Sequence, residues 1–136
     1  MTDWKNEEYT AEYELFKVDD EKNKYKLEIS KYLSDKSTAG DSLGSINSET
    51  SHNNMPFSTF DSDNDMRFYD NCAQIFKAGW WFNACFQSNL NGIYYHYTNP
   101  NDNSQLRFLR NGIHWNSIDF YKSLKSTKLR IRPRYL

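Results

Sequence analysis

Apolar and polar residues alternate in two short stretches near the start of the chain. Ala11-Glu12-Tyr13-Glu14-Leu15 and Tyr25-Lys26-Leu27-Glu28-Ile29 both carry the period of a half-buried strand. The polar run Asp19-Asp20-Glu21-Lys22-Asn23 lies between them. Together they predict an antiparallel hairpin. Residues 34–54 are rich in Ser, Asn, Thr and Gly without clear periodicity and read as a long surface loop, a length that usually serves function. Asn91-Gly92 and Asn111-Gly112 are turn signals, and 98–104 is a further polar loop. Lys128-Leu129-Arg130-Ile131-Arg132 alternates again and predicts a last strand, stopped by Pro133. Helical periodicity is weak, leaving room for short helices at 40–43 and 71–76. The pattern describes a small sheet with a turn-rich extension.

Composition narrows the class. A length of 136 residues suits one domain. Charged residues make up 26% with a formal net charge of −1, which excludes a globally basic nucleic-acid binder. Aromatic residues reach 17%, so the core must be aromatic rather than aliphatic. The apolar runs are far too short to span a bilayer, so no membrane insertion is expected. The first eight residues contain no apolar stretch of the signal-peptide kind.

Candidate chemistry concentrates between residues 61 and 92. Asp61, Asp63 and Asp65 stand at alternate positions. They suit either a solvated acidic turn or a loop that gathers oxygens around a hard cation such as Ca²⁺. The EF-hand pattern fails, because its sixth position is Met66 and its twelfth is Cys72. Cys72 and Cys85 are the chain's two cysteines and are open to two states, reduced thiols or a disulfide. A disulfide would close a loop worth about 3 kcal/mol in the chain-entropy model. Trp80-Trp81 reads as core packing before ligand platform. His52, His96 and His114 are dispersed and read as ordinary core or surface residues. No nucleophile, phosphate or zinc motif occurs, so an enzyme is not expected. The cations from Lys122 to Arg134 read as the solvated side of a strand, or as contacts for phosphate or sulfated polysaccharide.

Taken jointly and in order, "DSDND", "NCA", "GWWFNAC", "SNLNGIYY", "NGIHW" and "YKSLKSTKLRIRP" resemble the fibrinogen C-terminal globular domain. That family includes fibrinogen chains, ficolins, tachylectins, angiopoietins and tenascins. The resemblance implies an α+β fold and a partial domain lacking the family's N-terminal subdomain. Residues 1–57 resemble the second half of the central sheet subdomain. Residues 58–136 resemble the loop-rich P subdomain, with its calcium loop, ligand pocket and a C-terminal strand returning to the sheet. The missing region would be the route to any oligomer.

The resemblance also implies a set of site residues. Calcium would be held by the carboxylates of Asp63 and Asp65 and by backbone carbonyls of Phe68 and Asp70. Cys72 and Cys85 would be disulfide-bonded, with a cis peptide at Ala84-Cys85. A ligand pocket would draw on Phe76, Cys85, Phe86, Leu109, Arg110 and Tyr121. Phe86 stands where a His is common, and Arg110 where a small residue often lines an acetyl-methyl slot. Ile75 and Phe76 replace polar residues that grip fibrin's amino-terminal knobs, so clotting is not implied. The implied function is an extracellular, calcium-stabilised recognition module for glycans or microbial surface ligands, acetylated or anionic. The alternatives are a receptor-binding domain of angiopoietin type, or a truncated paralogue without binding activity.

Overall fold

The computed structural model describes residues 1–44, 47–96 and 110–133. Strands β1 (Tyr13–Val18) and β2 (Leu27–Tyr32) form the predicted antiparallel hairpin, with Val18 opposite Leu27 and Tyr13 opposite Tyr32. Alternation sorts the side chains. Phe16, Leu27 and Ile29 share the core face, while Lys17 and Glu28 pair at 3.3 Å on the other. The connection is more than a polar turn. Asp20 caps a 3-10 turn at Glu21–Asn23, and Lys24 and Tyr25 both take left-handed backbone. Asp19 N–H then closes on Lys26 carbonyl at 2.9 Å.

The core is aromatic, as composition requires. Trp80, Trp81, Phe82, Phe86 and Trp115 are buried with Leu27, Ile29 and Leu124. Trp81 packs edge-on against Phe57, Trp80 and Phe16, with ring centroids 5.2, 5.1 and 5.9 Å away. Its indole N–H donates to Tyr25 carbonyl at 2.8 Å, which ties the loop after β1 to the core. The tryptophan pair is therefore core rather than an exposed platform.

Of the two short helices expected, one forms. Helix α1 covers Cys72–Phe76, capped by Asn71, whose side chain accepts from Gln74 N–H. Residues 40–43 do not form a helix. Gly40 takes φ +73°, and Asp41 Oδ1 accepts from Leu43 and Gly44 N–H groups, which commits the segment to a turn. That turn docks on 115–117. Trp115 donates to Gly40 carbonyl at 3.0 Å, and Ser117 Oγ donates to Ala39 carbonyl at 2.6 Å.

Two further strands are only two residues long, β3 (Ser88–Asn89) and β4 (His114–Trp115), paired antiparallel. The two Asn-Gly turns meet rather than closing hairpins. Ile93 N–H donates to Asn111 carbonyl at 2.8 Å, and a Cβ on Gly92 would collide with Gly112 carbonyl. Glycine is thus required at 92 by close approach of backbone.

The last strand expected from the sequence is absent. Residues 128–132 have the alternation but no ladder among the described residues. Pairing ends where Lys125 and Ser126 donate to Thr2 carbonyl, and Leu129 and Ile131 beyond it are exposed. Alternation marks a chain that can join a sheet, and it does so only where a neighbouring edge is present. The expected loop at 98–104 lies outside the described residues, and Ser58, at the start of the second region, exchanges backbone bonds with Trp80 within it. No helix among the described residues is long and apolar enough to cross a membrane.

Candidate functional site

Two neighbouring sites grow from the segment after Phe57. The first is the acidic loop. Asn64 anchors its start, donating to Phe57 carbonyl at 2.9 Å while its own N–H donates to Ser58 Oγ at 3.0 Å. Asp63 Oδ1 accepts from Asp65 N–H at 3.2 Å. Asp65 then spans the loop: Oδ1 accepts from Arg67 N–H and Oδ2 from Cys72 N–H, both at 2.8 Å. Small Asp and Asn side chains replace a regular ladder here because they can bond backbone groups two to seven residues away.

The electrostatics of this loop centre on Asp65. Burial pushes the Asp65 carboxyl above its ordinary range, and Asp63 beside it adds to the rise. Two backbone N–H groups oppose that rise without cancelling it. A divalent ion with oxygen preference is the general way to offset a partly buried carboxylate with a second one beside it. Asp70 Oδ2 is engaged, since Arg67 Nη2 donates to it at 2.7 Å. Its backbone carbonyl and that of the exposed Phe68 are the two carbonyls that the family resemblance names. Side chains alone do not complete a metal set: no group of three His, Cys, Asp or Glu suited to a metal occurs among the described residues. A cation here would depend on carbonyls and water.

The second site lies across the disulfide. Cys72 and Cys85 are bonded, with S–S 2.04 Å and Cα–Cα 5.8 Å, which settles the choice between thiols and cystine. The Ala84-Cys85 peptide is cis. Asn83, just before it, is held by donation to Ser48 and Ser51 carbonyls at 2.8 and 2.9 Å. Phe86 is buried against Phe76, with centroids 4.7 Å apart, and lies 6.2 Å from the His114 ring.

Arg110 lies across this aromatic wall. Its guanidinium carbon stands 4.9 Å above the Phe86 ring and 3.8 Å from the Phe120 ring. Nη2 donates to Asn116 Oδ1 at 2.9 Å, and Nε is buried without a partner. Arg110 also takes φ +44°, an uncommon conformation for a side-chain-bearing residue.

The structure thus brings together Phe76, Cys85, Phe86 and Arg110 from the set named by sequence. Tyr121 stands near Arg110. It is half-exposed, and its ring packs on Phe120 at 5.0 Å. Leu109 lies outside the described residues. Phe120 and His114 are the residues sequence reasoning missed. His114 is buried with Nδ1 unpartnered, and burial followed by the Arg110 charge lowers its pKa to about 4. Its position opposite Asn89 on the β3–β4 ladder was not visible in a two-residue strand.

Comparison with known proteins gives this arrangement a family. The model of fibrinogen beta and gamma chains, C-terminal globular domain, matches residues 1–134. The human fibrinogen alpha chain is 43% identical over 98% of this chain, which spans 16% of that protein. The fibrinogen-like globe domain of human ANGPTL2 superimposes with TM-score 0.73 at 36% identity, over 92% of this chain and 51% of that one. A lamprey fibrin D-dimer complexed with the peptide Gly-His-Arg-Pro-amide gives TM-score 0.75 at 34% identity, over 91% of this chain and 40% of that one. The chain therefore spans about half or less of the relatives it matches. With an aromatic core, a cystine-framed bend and an acidic loop in the family's order, this chain belongs to the fibrinogen C-terminal globular domain family.

Proposed function

We propose that the chain forms part of a calcium-stabilised, non-enzymatic recognition module that works outside the cell. It takes its ligand on the face built by Phe76, Phe86 and Arg110. The carrying observation is Phe86, an aromatic wall set beside the disulfide bend and covered by one mobile-length cationic side chain. Aromatic faces suit the C–H surface of sugars, and a single long side chain can gate them. Glycans of the kind displayed on microbial or host surfaces are the ligand class we assign. Asp63 and Asp65, with carbonyls of Phe68 and Asp70, would hold Ca²⁺. That ion would neutralise the paired carboxylates and fix the loop that leads into Cys72. The domain division at 57/58 enters the proposal as a division of labour: residues 1–57 supply sheet and 58–136 supply the loops.

A second reading, protein-receptor binding of the angiopoietin type, is favoured by one different observation. Phe60, Phe68 and Tyr69 are exposed together around the acidic loop, the latter two at 96% and 98%. Exposed aromatics are what a protein partner buries first. The fibrin complex with a peptide ligand adds that a relative accommodates a peptide.

The experiment is a glycan array run beside a receptor capture, each in calcium and in chelator, with Phe86→Ala and Phe68→Ser/Tyr69→Ser variants. Calcium-dependent glycan binding lost in Phe86→Ala supports the first reading. Protein capture lost in the double variant, with no glycan signal, supports the second. Silence in both would overturn the proposal and leave a truncated paralogue without binding activity.

A further inference from the structure

The two Asn-Gly pairs that meet in the fold are guarded unequally. Asn91 is exposed on its turn, whereas Asn111 is half-buried and Gly112 is buried. From this difference we infer that Asn91 is a site of spontaneous covalent modification. As the folded protein ages, Asn91 converts to Asp and to its β-linked isomer, while Asn111 is spared.

Asparagine before glycine suits this chemistry because glycine has no side chain to shield its backbone nitrogen. The Gly92 nitrogen gives its proton to solvent base and attacks Asn91 Cγ. The new N–Cγ bond closes a five-membered imide. The Cγ–Nδ2 bond breaks, and Nδ2 leaves as ammonia with a proton regained from solvent. Water then opens the ring at either carbonyl. Opening at Cγ yields Asp, and opening at the backbone carbonyl yields the β-linked isomer. Water is the co-reactant consumed, and ammonia is the product released.

At residue 111 that attack is obstructed. Tyr95 hydroxyl donates to Asn111 Oδ1 at 2.7 Å, and Ile93 N–H donates to Asn111 carbonyl at 2.8 Å. Behind them, a Cβ on Gly112 would stand 2.6 Å from Ser123 Oγ, the oxygen that accepts from Ile113 N–H at 2.9 Å. A ring closing there must break bonded, packed groups. At Asn91 the side-chain bond, Nδ2 to Gly79 carbonyl at 2.9 Å, lies on the exposed surface, where water replaces it at little cost. No hydrogen bond among the described residues uses the Gly92 N–H.

The change is not silent for the fold. Asn91 ties its turn to Gly79, the residue before the buried Trp80. A carboxylate in its place has no N–H to donate and sets an acceptor against the Gly79 carbonyl. In the β-linked product the backbone gains a methylene just before Gly92, where the chain already lies against the Gly112 carbonyl. Both products loosen the contact between the two turns.

The test ages the folded protein in mildly alkaline buffer at body temperature, beside a sample unfolded in urea, and maps both by peptide mass spectrometry. In the folded sample Asn91 should convert at least about tenfold faster than Asn111, the scale of the bonds that residue 111 must break first. In urea the two rates should converge. The aged fraction, separated by its added negative charge, should melt below the fresh protein. Equal rates at the two sites in the folded protein would overturn the inference. So would an Asn91 that stays intact when folded but converts in urea, or an aged fraction that melts like the fresh protein.

Discussion

The hairpin β1–β2 and the segment from Ser58 to Asn89 are held together by different chemistry. The hairpin is a continuous ladder with one face on the core and charged pairs outside. The later segment has one helical turn, Cys72–Phe76, and one two-residue strand. It is knitted instead by its side chains bonding backbone groups within it and beside it: Asn64 on Phe57, Asp65 on Cys72, Asn71 on Thr59, and Asn83 on Ser48 and Ser51. A ladder tolerates exchange of most of its side chains because the backbone bonds itself. A region knitted by side chains places its shape in a few polar residues, each buried or half-buried, and loses that shape when one is cut.

His52 is the sharpest instance, and cutting it should have the largest effect. It is fully buried, its Nδ1–H donates to Trp81 carbonyl at 2.8 Å, and Nε2 accepts from Gln87 and Ser88 N–H at 3.0 Å each. His52→Ala leaves a cavity and three stranded backbone groups. We expect a loss of about 3–5 kcal/mol in urea unfolding, or failure to fold. His52→Gln keeps some of the bonding and should fall short of that loss.

Removing the disulfide comes next. Cys72→Ser/Cys85→Ser opens the loop that carries Trp80 and Trp81, and should cost about 3 kcal/mol by chemical denaturation. An equal loss in a reduced parent would confirm that the link rather than the sulfur atoms is responsible.

Acid should attack the side-chain-knitted region before the hairpin. Burial lowers the His52 pKa to about 4 against an ordinary 6.5, outweighing the bond to Trp81 carbonyl and the Asp41 charge that oppose it. A histidine with a depressed folded pKa contributes stability above its unfolded value and loses it as pH falls from 6.5 toward 4. Protonation would also turn Nε2 into a donor facing two N–H donors. For His52 alone the loss is about 2 kcal/mol by pH 5, and His114 acts in the same direction. A stability profile flat between pH 7 and pH 5 would contradict this.

The smallest effect belongs to the hairpin's outer face. Lys17 bridges Asp19 at 3.1 Å and Glu28 at 3.3 Å in full contact with water, where such pairs are screened. Lys17→Ala should leave the thermal midpoint nearly unchanged. A drop comparable to the disulfide's would erase the contrast between the two regions.

The same contrast decides what the sequence could reveal. Alternation at 11–15 and 25–29 located the hairpin because period 2 is written in neighbouring residues. The aromatic core followed from composition, and the cystine and acidic loop from a family pattern spread over many positions. Side-chain-to-backbone bonds leave no period. Asp65 bonding Cys72, or His52 bonding three residues some thirty positions away, cannot be read from spacing. Alternation at 128–132 misled for the complementary reason, since it records a capacity to pair and not the presence of a partner. Phe120 escaped notice because only the fold brings it over Arg110.

The central claim is that the acidic loop is a calcium-responsive frame for the recognition face, and one measurement tests it directly. Amide hydrogen exchange of the parent and of Asp63→Ala is followed with calcium and with chelator. In the parent, calcium should slow exchange at Asp65, Arg67 and Cys72, the N–H groups now held by the Asp63 and Asp65 carboxylates, and raise the thermal midpoint; Asp63→Ala should show neither change. Identical exchange in calcium and chelator for the parent, with Asp63→Ala indistinguishable from it, would contradict the account.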